Sequence, residues 1–322
     1  LKKIGVLTSG GDSPGMNAAF RAIVRTAHGL DIDVLAIRHG YKGLINDDIS
    51  KVTSNDVSNI IQRGGTVLKS ARCDEFREPE GRAEAAKVLE KHGIEALVTI
   101  GGDGTFQGAA LLAKEHDINV IGVPATIDND LVGSDETIGY DTALNTAMEA
   151  IDKIRDTADA HDRLFLVEVM GRDAGFIALE TGIAGGAELI LLPESLTDID
   201  EVKSSLNKVL SEQRRSSLVV IAEGDETGGA MKISEALKPD FSKYEMRVCI
   251  LGHVQRGGNP TARDRVLASR LGSAAVTVLK EGHSQVMVGV VNNKIKLTPL
   301  KMTFGKKKDI NFDLVELAKM LR

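Results

Sequence analysis

The chain has 322 residues, 42% apolar and 27% charged, a composition that excludes a disordered, collagen-like or disulfide-scaffold protein. Its formal charge of −6 at pH 7 argues against general nucleic-acid binding but leaves room for a local cationic pocket. No apolar run approaches the ~18 residues that span a bilayer, no secretory leader precedes the first strand-like run, and Cys73 and Cys249 make neither a disulfide framework nor a four-ligand zinc site; a cytoplasmic protein without membrane or nucleic-acid partners is expected. Glycine is enriched, with 33 residues against a usual ~7%, and many follow directly on strand-like runs.

In chain order, Ile4–Leu7 predicts a strand, followed by the loop Thr8–Gly15 and a helix from Asn17 to about His28. The pattern recurs. A strand at Val34–Ile37 precedes Gly40, and one at Ala96–Ile100 runs into Gly101-Gly102-Asp103-Gly104-Thr105 and a helix rich in Ala and Leu. Val120–Val123 runs into Pro124–Asp130. Further strands are expected at Leu164–Val169, Leu189–Leu192, Leu218–Ala222 and Val248–Leu251, with helices at Asp141–Thr157, Ile199–Ser211 and Thr261–Lys280. Val286–Leu297 reads as a hairpin turning at Asn292-Asn293, before a basic loop, Lys306–Lys308, and a terminal helix. This alternation predicts an α/β protein with parallel sheets covered on both faces, and ligands beyond the carboxyl ends of the strands. A domain break is placed near Ile138–Thr142.

A glycine loop between strand and helix presents backbone N–H groups to phosphate. Gly10-Gly11 and Gly101–Gly104 are two such loops, and neither has the spacing of a P-loop or of a dinucleotide fingerprint. Asp103 adds a carboxylate that would repel phosphate unless a cation lies between them, as Mg²⁺ does. Gly11-Asp12-Ser13-Pro14-Gly15 imitates a hydrolase nucleophile elbow, but that elbow needs an N–H after the serine and Pro14 has none. Ser13 is therefore read as a turn or capping residue.

Thr126, Asp128 and Asp130 directly follow a buried-looking strand, where one carboxylate can take a proton from an attacking hydroxyl, a second can orient it, and the threonine can donate a hydrogen bond. Taken alone the string is better read as an Asx-rich turn. Arg72, Arg163, Arg172, Arg247 and Arg256 stand beside glycines, a histidine or strand ends, and guanidinium forks grip phosphate and stabilise a phosphoryl group in transfer. His253 is set among glycines and an arginine. The residues themselves point to a Mg-dependent phosphoryl transferase with an anionic, hydroxyl-bearing acceptor.

Together, TSGGDSPGMNA, the Gly64–Arg72 stretch, GGDGT, TIDND, DKIRDTA from Asp152, MGR, AEG from Ala222 and LGHVQRGG from Leu251 resemble the bacterial ATP-dependent type of the 6-phosphofructokinase family over nearly the whole chain. The resemblance implies two Rossmann-like three-layer α/β domains with largely parallel sheets, the phosphofructokinase fold. The ATP-binding domain would hold 1–138 plus about 250–304, and the sugar-phosphate domain 139–249 plus about 305–322. It implies transfer of the ATP γ-phosphoryl group to the 1-hydroxyl of fructose 6-phosphate in glycolysis. Asp128 matches the catalytic base, with Thr126, Asp130, Arg172 and Arg72 in the same machinery. Gly11, Arg72, Cys73, Gly102, Asp103, Gly104, Thr105 and Gly108 match the ATP cradle, with Asp103 on Mg²⁺. Met170, Gly171, Arg172, Glu223, His253 and Arg256 match the sugar-phosphate pocket. Arg163 and Arg247 match arginines reaching in from a neighbouring subunit of a homotetramer with shared active sites.

Pyrophosphate-dependent relatives, the alternative reading, carry an acidic residue where this chain has Gly104 and a lysine where it has Ala125, so ATP is favoured. Other GGDGT enzymes, such as NAD or lipid kinases, do not account for TIDND plus LGHVQRGG, and a nucleotide-binding regulator with a silent site does not account for Thr126, Asp128, Asp130 and Arg172. Arg21, Arg25, Arg155, Gly186, Glu188 and Arg214 match an effector site for ADP or phosphoenolpyruvate. Ser54 and Glu212 stand where an arginine and a lysine are common there, so weak or altered allostery is expected.

Overall fold

A computed structural model of the chain describes residues 1–159, 163–211 and 217–321. By its internal contacts the chain divides into two units. The first holds Leu1–Ile127, Leu131–Thr142 and Arg256–Lys308; the second holds Asp128–Asp130, Ala143–Gln255 and the chain from Asp309 onward.

The first unit is built on a seven-stranded sheet. β1 (Lys3–Thr8) pairs in parallel with β2 (Asp33–Ile37) on one side and β4 (Ala96–Gly101) on the other; β5 (Asn119–Pro124) and β10 (Val286–Val291) continue outward in parallel. β3 (Ile49–Val52) and β11 (Lys294–Pro299) close the edges antiparallel, giving the order β11-β10-β5-β4-β1-β2-β3. Side chains alternate across the sheet. Ile4, Val6, Val98, Ile100, Ile121 and Val123 face one core with α1 (Met16–Gly29) and α9 (Ala262–Lys280). Leu7, Leu35, Leu97 and Met287 face another with α2 (Gly40–Ile45), α3 (Pro79–His92) and α4 (Asp103–His116). Every residue of β4 is buried, as a strand covered on both faces must be. α1 and α9 cross closely because position 272 is glycine: a Cβ there would stand 2.5 Å from the Ala19 carbonyl oxygen.

The hairpin turns where expected, with Asn292 at φ 50° and Asn293 at φ 61°, the left-handed pair of a type I′ turn. Because β2 and β4 flank β1 on opposite sides, the winding reverses between β1 and β4. Ligands of open α/β sheets bind at the carboxyl ends of the strands at such a reversal, and both glycine loops emerge there.

The second unit carries a four-stranded, all-parallel sheet in the order β7-β8-β6-β9, formed by β6 (Arg163–Val169), β7 (Leu189–Leu191), β8 (Ser217–Ala222) and β9 (Glu245–Ile250). Leu164, Leu166, Val219 and Ile221 pack on one face against α7 (Ile199–Ser211) and α8 (Gly229–Leu237). Phe165 and Val167 alternate with them, and α6 (Phe176–Ala184) contacts the same strands. α5 (Tyr140–Asp159), from Ala143 on, and α10 (Phe312–Met320) complete the unit.

Several elements differ from expectation for physical reasons. β9 begins three residues earlier than Val248, since Met246 and Val248 pack inward while Glu245 and Arg247 point out, the charged pattern of an edge strand. α3 is bracketed by Pro79 at its start and by Gly93 at φ 64°, both terminus signals within a charged stretch whose apolar stripe is narrow. α6 has apolar residues on nearly every side, so no period betrays it. Among the described residues no helix is long and apolar enough to cross a membrane.

Candidate functional site

In the first unit the loops after β1, β4 and β5 are stitched together. Ser9 N–H donates to Ile100 O at 3.0 Å, Thr105 Oγ1 donates to Ser9 O at 3.0 Å, and Ala125 N–H donates to Gly101 O at 2.9 Å. Ser70 Oγ donates to Gly10 O at 2.5 Å, which ties the segment leading to Arg72 into the same cluster. Gly102 is the extended N-cap of α4 and Asp103 its first residue. The opening N–H groups of a helix lack intrahelical partners and carry about half a positive charge, so this end of α4 is suited to phosphate. A Cβ at Gly104 would meet nothing within 4 Å, whereas one at Gly11 would stand 2.4 Å from Arg256 Nη1. Arg256 thus lies in the first unit, its guanidinium against the glycine loop.

The floor beside α4 is equally defined. Tyr41 donates its hydroxyl to Thr105 O at 2.5 Å and stacks on Phe76 with ring centroids 3.9 Å apart. Gly108 lies under these rings, where a Cβ would approach each to 3.1 Å. Arg82 holds the 75–77 turn by donating to Phe76 O and Arg77 O while its fork grips Glu115 at 2.6 and 2.7 Å. Arg72 is exposed, and Cys73 is half-buried against the α2–α4 core with its thiol pKa raised by burial. Among the described residues no cluster of three or more His, Cys, Asp or Glu could hold a metal by itself. Asp103, a carboxylate at a helix end suited to phosphate, suits a hard cation that takes its remaining ligands from phosphate and water, as Mg²⁺ does.

Thr126 ends this first-unit group. Its carbonyl accepts from Thr137 Oγ1 at 2.6 Å, and Ala125 bridges to Ile138. Ser13 is fully buried and donates to Ile138 O at 3.0 Å, so it is a structural tie between loops and no exposed nucleophile.

Asp128–Asp130 groups with the second unit. Asp128 and Asn129 are buried, and Asn129 has φ 53°. In the same unit Arg172 has φ 55°, a left-handed conformation that costs a non-glycine residue ~1–3 kcal/mol and clusters at functional sites. Glu223 holds that turn, accepting from Arg172 N–H at 2.7 Å and Gly171 N–H at 3.3 Å. Met170 N–H donates to Gln255 Oε1 at 3.0 Å, with Gln255 fully buried. Arg163 Nε donates to Glu245 Oε2 at 2.7 Å, and Arg247 reaches Glu245 Oε1. The Arg163 hydrogen bond, with the charge of both arginines, holds the Glu245 carboxyl below its ordinary range. His253 is exposed in a short 3₁₀ turn.

Of the candidate effector residues, Arg21 and Arg25 share one face of α1 in the first unit, four residues apart. In the second unit Arg155 donates to Gly185 O and Gly186 O and lies 3.8 Å from Glu188. His28 Nδ1 and the Ser54 hydroxyl share a hydrogen bond of 2.8 Å. Arg214 and Glu212 lie outside the described residues. Sequence reasoning missed Tyr41, Phe76, Glu245, Gln255 and Asp264. Phe76, Glu245 and Gln255 each had a local signal, standing close to Arg72 and Cys73, to Arg247, and to His253 and Arg256.

A model of the family described as Phosphofructokinase matches residues 3–279. The ATP-dependent 6-phosphofructokinase 1 of Thermus thermophilus is 56% identical over 321 residues, covering 100% of this chain and 99% of that protein. The ATP-dependent 6-phosphofructokinase 2 of Bacteroides thetaiotaomicron is 52% identical over 100% of this chain and 98% of its own length. Among solved structures, phosphofructokinase from Saccharomyces cerevisiae superposes with TM-score 0.87 at 38% identity over 99% of this chain; this chain spans 46% of that one. A pyrophosphate-dependent phosphofructokinase from Marinobacter aquaeolei, 24% identical with TM-score 0.85 over 97% of this chain and 86% of its own, shares the fold.

Proposed function

The chain belongs to the phosphofructokinase family, and from that membership we infer that it transfers the γ-phosphoryl group of ATP to the 1-hydroxyl of D-fructose 6-phosphate, releasing ADP and fructose 1,6-bisphosphate in glycolysis. The relatives that match over full length are named for ATP, which favours ATP over pyrophosphate as donor. The structural observation that carries the reading is the α4 N-terminus at the winding reversal, with Asp103 in its first turn and open space at Gly104.

The polyphosphate lies against the N–H groups of Gly102–Thr105 and the Gly10-Gly11 loop, with Gly108, Arg72 and Cys73 bordering the nucleotide. Asp103 is the residue that would hold Mg²⁺. That ion, when bound, offsets phosphate charge. Asp128 takes the proton of the 1-hydroxyl, Thr126 and Asp130 orient the acceptor, and Arg172 with Arg72 stabilises charge on the transferring group. Met170, Gly171, Arg172, Glu223, His253 and Arg256 bind the sugar phosphate, and Arg163 and Arg247 complete it across a subunit boundary of a cytoplasmic homotetramer. ADP or phosphoenolpyruvate acts weakly through Arg21, Arg25, Arg155, Gly186, Glu188 and Arg214.

A donor-by-acceptor activity panel tests the reading: ATP with fructose 6-phosphate turns over, and pyrophosphate supports little. Asp128→Asn lowers kcat by roughly 10²–10⁴, the range of a positioned base. A variant keeping more than half the activity removes Asp128 from that role.

A further inference from the structure

Asp264 is a buried acid that the reaction as described does not use. It occupies the third position of α9, whose N-cap Thr261 accepts the Asp264 N–H at 3.2 Å. In the usual capping box the acid at this position returns to the N-cap N–H. Here it turns away. Oδ1 accepts from Gly139 N–H at 2.8 Å, and Oδ2 accepts from both the N–H and the hydroxyl of Thr142, at 2.8 and 2.5 Å. The Thr261 N–H that the acid leaves goes to Thr142 Oγ1 at 3.0 Å.

The segment held in this way touches both first-unit loops of the proposed chemistry. A Cβ at Gly139 would lie 2.6 Å from Ser13 Cβ and 3.3 Å from Pro14, and one at Gly15 would lie 2.6 Å from Ile138 and 3.8 Å from Asp264 Cβ. Ser13 Oγ donates to Ile138 O, Ile138 N–H donates to Pro124 O, and Thr137 Oγ1 donates to Thr126 O. Residues 137–139 are therefore wedged between the glycine loop and Thr126, and Asp264 secures their far end. We propose that Asp264 is a positioning residue that fixes the spacing between the Gly10–Gly15 phosphate loop and the Thr126 segment. The inference rests on the phosphotransferase reading above.

Burial raises the Asp264 carboxyl to about 6 from 3.8, with the Asp141 charge adding to the rise and the Thr142 and Gly139 hydrogen bonds opposing it. For an acid shifted upward, the stability contribution is complete below 3.8 and lost as pH rises through about 6. At neutral pH the carboxylate is thus held against overall stability, a cost expected where its acceptor role serves geometry. The other charged groups nearby on α9 are engaged elsewhere: Arg263 pairs with Glu136, and Arg265 donates to Pro260 O.

The experiment compares Asp264→Asn with Val276→Ala, which loses apolar packing from the same helix, in the full-length protein. In the first, an amide NH₂ must face a backbone N–H, that of Gly139 or that of Thr142. Its expected kcat is at least tenfold below wild type at saturating ATP and fructose 6-phosphate, and the fall in kcat expected of wild type as pH drops through about 6, where the carboxylate takes up a proton, is expected to be absent. Val276→Ala is expected to lose melting temperature and keep kcat within twofold. If kcat in Asp264→Asn stays within twofold of wild type, or both variants lose kcat in proportion to lost stability, the positioning role is wrong. The donor-by-acceptor panel on the wild-type protein separates the two failures. No turnover of ATP with fructose 6-phosphate there retires the phosphotransferase reading, whereas turnover there with an unaffected Asp264→Asn retires this inference alone.

Discussion

Glu223 accepts the backbone N–H of Arg172 at 2.7 Å while Arg172 stands at φ 55°. A side-chain carboxylate thus clamps a residue in a conformation its own backbone disfavours. Charge-assisted hydrogen bonds of this kind are worth ~1.5–3 kcal/mol, comparable to the strain they oppose. Glu223→Ala is expected to raise the KM for fructose 6-phosphate by about tenfold or more and to lower kcat, since every 1.4 kcal/mol is about a factor of ten. Glu223→Gln, which keeps an acceptor oxygen, should fall between. Steady-state kinetics with fructose 6-phosphate varied is the check, and equal effects of the two would remove the clamp.

Gly104 is the position through which donor choice is expected to act. The position opens on space and is the second residue of α4, so an acid there meets no clash and gains ~0.3–1 kcal/mol from the helix dipole. Gly104→Asp should therefore melt no lower than wild type while its KM for ATP rises at least about tenfold by charge repulsion. Melting curves and ATP titrations should move in opposite directions; a joint loss would mean simple misfolding.

The buried fork of Arg82 on Glu115 holds the turn that carries Phe76. Arg82→Ala leaves Glu115 and two carbonyls without their Arg82 donors and should cost ~1.5–3 kcal/mol in denaturant unfolding, the range of hydrogen bonds to a charged group. The Arg82 hydrogen bond holds the Glu115 carboxyl below 4.5. Its contribution is complete above 4.5 and disappears as pH falls through the lowered folded value. Wild-type stability should then drop more steeply below pH ~4.5 than that of Arg82→Ala.

Effector response is expected to be weak. Ser54 offers a hydroxyl already engaged by His28, where the related effector sites commonly offer a cation, and a polyanion gains little from such a group. Micromolar phosphoenolpyruvate should barely change initial rates at subsaturating fructose 6-phosphate, and Ser54→Arg should strengthen any inhibition.

The order of strands and helices was legible because it rests on local patterns. Short apolar runs place β1, β4, β5 and β6, the Asn292-Asn293 pair dictates the hairpin turn, and glycines after β1 and β4 mark where backbone donors are exposed. The motifs from Thr8 to Gly258 were enough to name the family. Where local period failed, as in apolar α6 and charged α3, the elements were missed, since a helix buried on every side or nearly solvated all round has no contrasting face.

What tertiary structure alone decided are the pairings between residues far apart in the chain. Asp264 with Gly139 and Thr142, Glu223 with Arg172, and Gln255 with Met170 leave no trace in composition or spacing. The grouping of Asp128–Asp130 with the second unit, although Thr126 two positions earlier stays with the first, is equally invisible in the string TIDND. The reason is physical. A strand or helix is selected by interactions within a few residues and recurs with a fixed period, whereas a buried carboxylate finds its donors wherever the packed chain brings unpaired N–H groups.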